Sequence, residues 1–301
     1  MGKVSGFLHF TKSFPTEESC IKYYEKLRWN GKVVSPFDKD SKVYKCSNGR
    51  YRCANTGKYF NVKTGTIFEN TKLPMQYWFY AMFLFLSHKR GVSSCQLARD
   101  LGVTQKTAWT MLHKLRSFME CENNAKLENE VEIDETFVGG KNKNRHKDKR
   151  VERCQGRSFK DKVPVFGMYQ RGGKLVAMTV PNTKAETLTP HIRKYIKDGS
   201  IIFTDGWEYG ALRENYTQLS VDHGSGFYGT MAVDTNTGEC VSVTTNSIEN
   251  VWSHFKRTIF GTYYKVSKKH LQRYVDEFVF RFNTRSETDF ERFNILLQNV
   301  A

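Results

Sequence analysis

Acidic side chains are scarce relative to basic ones: the 301-residue chain carries 31 Asp and Glu against 47 Lys and Arg, a formal charge of +16. Such an excess points to a polyanion as partner, because bound cations gain by displacing its counterions. Long apolar runs are also missing. The longest, WFYAMFLFL at 78–86, is far short of the roughly 20 residues that span a bilayer, and the opening MGKVSGFLHFTKSF has no signal-peptide core. Nucleic acid is therefore favoured over a membrane surface, and a cytoplasmic setting is expected. Cysteine is sparse and unpatterned. Seven thiols at 20, 46, 53, 95, 121, 154 and 240 are odd in number and share no repeated spacing, which argues against a disulfide framework. Six Pro and no Gly/Ser tract leave little room for long linkers.

What is present is core-forming sequence. A hydrophobic fraction of 39% with 14% aromatics is enough to offset ordering entropy, and the length suits two or three compact units. EESCIKYYEKLR (17–28) has helical spacing, and KVYKCSNGRYRCANTGKYFNVKTGT (42–66) alternates around Asn-Gly and Thr-Gly turns as small antiparallel strands do. LPMQYWFYAMFLFLSHKR (73–90) is apolar nearly all round, as in a buried helix starting at Pro74. VSSCQLARDLGVTQKTAWTMLHKLRSFM (92–119) reads as two helices broken at Leu101-Gly102-Val103, with Thr104 as N-cap. That pattern is a helix-turn-helix, with Gln105, Lys106, Thr107, Thr110 and Lys114 expected on the outward face of the second helix, suited to a major groove. An ordinary helical hairpin is the plainer alternative.

After the polar boundary 120–130, the segments VEIDETFV (131–138), VPVFGMYQ (163–170), KLVAMTV (174–180) and SIIFTDG (200–206) read as strands. A crossover helix at 185–196 and two amphipathic helices near 246–259 and 267–282 complete an α/β domain. Alternation in VEIDETFV puts Glu132 and Asp134 on the face opposite Val131 and Ile133. Asp205 ends a buried strand, where open α/β sheets usually keep their ligands. In TNSIENVWSHFKRTIFG, Glu249, Ser253 and Lys256 line one edge of an apolar stripe. Two strand-end Asp and a helix-borne Glu form a reasonable oxygen set for two Mg²⁺ (or Mn²⁺) ions acting on phosphate. Plainer roles stay open: Asn246-x-x-Glu249 is also a capping box, Asp205-Gly206 a common turn, and Asp134 a polar residue on an edge strand.

These motifs, in this order, resemble the bacterial insertion-sequence transposases of the ISXO-like group. The likeness runs from about residue 17 to 285 and includes VEIDETFVGG, IIFTDGWEYGAL, TTNSIENVWSHFKRTIFGTYYKVSKKHLQRYVDEFVFRFNTR and, upstream, QLARDLGVTQKTAWTMLHKLR. The resemblance implies a ribonuclease-H-like DDE domain (126–301) behind a small zinc-ribbon-like β module (1–70) and a helix-turn-helix region (71–125). It implies Asp134, Asp205 and Glu249 as catalytic, metal-holding acids, with Asn246 as second choice for the third and Lys256 accompanying. It also implies cleavage and joining of double-stranded DNA by a homo-oligomer. The basic run KNKNRHKDKR, beginning with Lys141 and Lys143 just after Gly139-Gly140, is expected against DNA phosphates. One departure matters: the group's two Cys-x-x-Cys pairs here read Ser35-Pro36-Phe37-Asp38 and Cys53-Ala54-Asn55-Thr56. Structural zinc needs four ligands, so none is expected. Rival readings are a domesticated, non-cutting DNA-binding relative and a structure-specific nuclease on the same core.

Overall fold

A computed structural model describes residues 6–120, 126–140, 146–151, 162–206, 210–221, 230–233 and 240–300. The chain forms two compact units, Met1–Met119 with Thr284–Ala301, and Glu120–Asn283.

The first unit opens with helices α1 (Phe7–Ser13) and α2 (Glu17–Trp29). Thr16 and Ser19 start α2 by a reciprocal capping box. A three-stranded antiparallel sheet follows, β1 (Val43–Lys45), β2 (Tyr51–Cys53) and β3 (Tyr59–Phe60). Tyr51, Cys53 and Phe60 are buried, and Trp29 packs edge-on against Tyr51. The other face is exposed, and its register aligns Tyr44, Arg52 and Tyr59 in one row across the three strands. Hydroxyls of Ser35, Ser41 and Thr56 surround the Cys53 thiol and hold it well below the ordinary range, at about 6. Helix α3 (Met75–Ser87) is the centre of this unit and buries Trp78, Phe79, Met82, Phe83, Phe85 and Leu86. Phe10 stacks on Phe83 at 4.2 Å between ring centroids. Two short helices come next, α4 (Ser94–Leu101) and α5 (Gln105–Arg116). Gly102 closes α4 at φ 65°, a left-handed conformation that favours Gly, and Thr104 accepts the Thr107 N–H to open α5. The last helix of the chain, Asp289–Asn299, belongs to this unit: Phe293 meets Phe79 at 5.2 Å and Arg292 donates to the Leu86 carbonyl. A sequence reading that runs the last domain to residue 301 misses this placement.

The second unit is built on a mixed five-stranded sheet. Its strands are β4 (Glu130–Val138), β5 (Val163–Gln170), β6 (Leu175–Thr179), β7 (Ile201–Asp205) and β8 (Thr217–Val221), in the order β6-β5-β4-β7-β8. The first three form an antiparallel meander, and β7 and β8 run parallel to β4. Helix α6 (Ala185–Tyr195) makes the crossover and tolerates Pro190 in its interior. The stretch 206–243 supplies β8 and an antiparallel pair, β9 (Thr230–Val233) and β10 (Cys240–Val243). Helices α7 (Asn246–Thr258) and α8 (Leu271–Asn283) follow, and α9 is the last helix already described.

Strand alternation sends the sheet's apolar residues to two opposite sides. Val131, Ile133, Phe166, Met168 and Ile202 pack with Leu188 and Ile192 of α6. Val138, Val165, Leu175 and Ala177 pack on the opposite side with Ile248, Val251, Trp252 and Phe255 of α7 and Val275 and Phe278 of α8. Even-numbered residues of β4 therefore look toward α7.

Candidate active site

Glu132, Asp134, Thr136 and Val138 share the α7 side of β4. Glu132 pairs with Phe203 in the parallel β4–β7 register. The β4–β7 pairing ends there; Asp134 and Asp205 each lie two residues further along these neighbouring parallel strands, on the face that Glu132 and Phe203 occupy. Both are partly exposed. Asp134 Oδ1 accepts the Glu135 N–H at 2.7 Å. Asp205 is the last residue of β7, and Gly206 turns the chain away at φ 67°. The strand face of Asp134 and the strand-end position of Asp205 are those expected from alternation and from the Asp-Gly dipeptide.

Helix α7 is drawn against this face by a close approach. Gly167 of β5 stands opposite Asp134, and a Cβ there would fall 2.4 Å from the Trp252 ring. Only a residue without a side chain lets α7 settle so near the sheet. Thr136 Oγ1 and Trp252 Nε1, both buried on this side, have no hydrogen-bond partner among the described residues. Buried orphans of this kind are uncommon and gather at sites that water or a ligand completes.

Glu249 and Asn246 lie in the first turn of α7 and are exposed, and Lys256 is exposed two turns on from Glu249. The capping-box reading fails here. Thr245 occupies the N-cap and its own side chain makes no capping bond, and Asn246 is already the first helical residue. Among the described residues, no three His, Cys, Asp or Glu side chains gather closely enough to hold one metal ion. Asp134 and Asp205 nonetheless offer hard carboxylate oxygens on one face of neighbouring strands, the donor type that Mg²⁺ takes.

Sequence reasoning missed Glu132 and Arg171. Glu132 is fully buried, and its two oxygens accept from Arg171 Nε and from the Ile248 N–H of α7, both at 2.8 Å. No local signal marks which of two acids on one strand face is buried, because Arg171 comes from the β5–β6 turn.

On α5 of the first unit, Lys106 is exposed. Gln105 is exposed and donates to Ser94 Oγ, Thr107 bonds to Thr104, and exposed Thr110 donates to the Lys106 carbonyl. Lys114 departs from expectation. It is half-buried, donates to the Ile67 carbonyl at 3.2 Å and lies 5.9 Å from the centre of the Trp78 ring, so it does not share the outward face. Trp109, which the sequence reading passed over, is 37% exposed. Lys141 and Lys143 lie outside the described residues.

The sequence pattern of a family described as ISXO2-like transposase domain matches residues 126–283. An uncharacterized protein in transposable element ISH50 of Halobacterium salinarum is 26% identical over 242 residues, spanning 76% of this chain and 81% of its own length. An uncharacterized transposase-like protein of Haemophilus influenzae is 30% identical over 112 residues, spanning 36% of this chain and 81% of its own length.

Proposed function

Because this chain belongs to the ISXO2-like transposase family, we propose that it is the DNA transposase of an insertion sequence, binding the element's ends and catalysing metal-dependent strand cleavage and strand transfer. The observation that carries the reading is the placement of Asp134 and Asp205 on one face of adjacent parallel strands, the face against which α7 packs with Glu249 in its first turn. We read the sheet as ribonuclease-H-like: a three-stranded antiparallel meander extended by two parallel strands is compatible with that core.

In this reading Asp134, Asp205 and Glu249 hold two Mg²⁺ or Mn²⁺ ions. Such a pair of ions, when bound, stabilises the attacking and leaving oxygens of an in-line displacement at phosphorus. Lys256 lies on the same side of α7 as Glu249 and is suited to a DNA phosphate. A water is the first nucleophile and the freed 3′ hydroxyl the second, so one site serves both steps.

We assign end recognition to the first unit, as a degenerate zinc ribbon followed by a helix-turn-helix. The ribbon assignment rests on Ser35, Ser41 and Thr56 clustering round Cys53, and the head holds no zinc in this reading. DNA contact is supported on α5 by exposed Lys106, Thr110 and Trp109. On the small sheet it is supported by the exposed Tyr44–Arg52–Tyr59 row, in a stretch from 41 to 68 with six cations and no acid. No helix among the described residues is long and apolar enough to cross a membrane. Assembly as a homo-oligomer on DNA in the cytoplasm completes the proposal.

The test is a strand-transfer assay with the purified chain, Mg²⁺ and pre-cut duplexes ending in the element's own terminal sequence. Joined products with that end and not with a scrambled duplex are expected. Binding of the ends without joining would favour the non-cutting relative, and cutting governed by DNA structure rather than end sequence would favour the nuclease.

A further inference from the structure

A charge as deeply buried as that of Glu132 persists only when paired and hydrogen-bonded, and here the pairing is divided between two elements. Arg171 Nε serves one oxygen and the Ile248 N–H serves the other. Arg171 spends its remaining donors on the same neighbourhood. Nη1 reaches Glu130 Oε2 and the Ser242 carbonyl, and Nη2 reaches the Thr244 carbonyl, each at 2.8 Å. The guanidinium carbon lies 3.9 Å from the centre of the Phe203 ring. One planar cation thus touches β4, which carries Asp134, β7, which carries Asp205, and the lead-in to α7, which carries Glu249.

The contact with α7 is at its first turn. The opening N–H groups of a helix have no acceptor within the helix; in α7 the Asn246 N–H is taken by Thr244 Oγ1, and the Ile248 N–H needs an acceptor from elsewhere in the fold. Glu132 supplies the missing acceptor from the strand, with its negative charge at the positive end of the helix dipole. Glu249 follows the anchored residue directly.

We infer that Glu132 and Arg171 are positioning residues that fix the first turn of α7, and with it Glu249, to the strand bearing Asp134. The inference rests on the reading of Glu249 as the third acid. A buried ion pair with a purely structural role would stabilise the whole unit. A positioning clamp acts on one turn of one helix and on the chemical step. Arg171→Lys removes the planar fork, since a single ammonium cannot reach carboxylates and carbonyls on three sides. Glu132→Gln keeps one carbonyl oxygen and loses the charge.

The experiment combines amide hydrogen exchange with strand-transfer kinetics on Arg171→Lys, Glu132→Gln and their double variant, with Glu249→Gln alongside. Exchange at 248–250 should accelerate about tenfold or more while amides of α8 keep their protection. Turnover should fall on the order of a hundredfold with KM for end DNA unchanged. The double variant should be no worse than the poorer single one, as for residues acting as a unit. Exchange rising equally in α7 and α8, or local loosening with full turnover, would reduce the pair to a structural bridge and overturn the inference. Unchanged exchange at 248–250 would do the same. Full joining by Glu249→Gln would instead refute the third-acid reading and remove the clamp's proposed role with it, while loss of joining by Glu249→Gln beside full joining by the clamp variants would refute the clamp alone.

Discussion

Asp276 on α8 shows how one carboxylate sets a pH dependence. Burial pushes its carboxyl up to about 6, helped by the nearby charge of Glu120 and opposed by the Gln272 hydrogen bond and by Arg273. A carboxyl whose folded value exceeds its ordinary 3.8 favours the protonated native state. Its contribution to stability is full below the ordinary value and is lost as pH rises through about 6. Asp276→Asn keeps an acceptor for Gln272 Nε2 and carries no charge. Thermal unfolding should therefore show the variant more stable than the parent by a few degrees near pH 7.5, with the gap closing near pH 4; a gap that stays constant with pH would contradict this. The same scale shows what sequence can reveal. The strand positions of Asp134 and Asp205 were legible because strand alternation and a strand-end Asp-Gly are local signals. The burial of Glu132 was not, because it depends on an arginine 39 residues further along the chain. Lys114 looked outward on a helical wheel, but a wheel does not include Trp78 and Ile67 of other segments.

The helices and strands with strong periodicity were legible as elements: α2, α3, the α4–α5 pair, β4 to β7, α6, α7 and α8 all fall near the spans their patterns predict. β8, β9, β10 and α1 were not. Their apolar residues are too few in each segment to form a period, and the three strands are defined by pairing with neighbours. The last helix has a clear capping box at Thr288 and Glu291, yet its partner in the first unit cannot be read from its own residues. For α5 the two lysines should part company. Lys106→Ala should weaken binding of end DNA and lower the slope of log affinity against log salt by about one, as expected for one lost phosphate contact. Lys114→Ala should leave that slope unchanged and lower thermal stability, because it removes a carbonyl partner and an aromatic contact. Salt titration of both variants decides the matter, and an equal loss of slope would return Lys114 to the DNA face.

At the scale of the whole molecule, the excess of 16 positive charges announces a polyanionic partner without locating it, since net charge speaks to association rather than fold. The chain returns at Thr284–Ala301 to the compact unit where it began. A boundary read along a sequence cannot anticipate such a return. The proposed chemistry rests on three acids drawn from β4, β7 and α7, and one comparison tests it most directly: Mg²⁺-dependent joining of a pre-cut end by Asp134→Asn, Asp205→Asn, Glu249→Gln and Asn246→Ala, each checked for folding and for DNA binding. The three acid variants should bind DNA as the parent does and lose joining by on the order of a thousandfold or more. Asn246→Ala, at an exposed position that caps nothing, should join normally with stability changed by less than about 0.5 kcal/mol. Full joining by Glu249→Gln with none by Asn246→Ala would move the third role to Asn246, and full joining by all four variants would contradict the account.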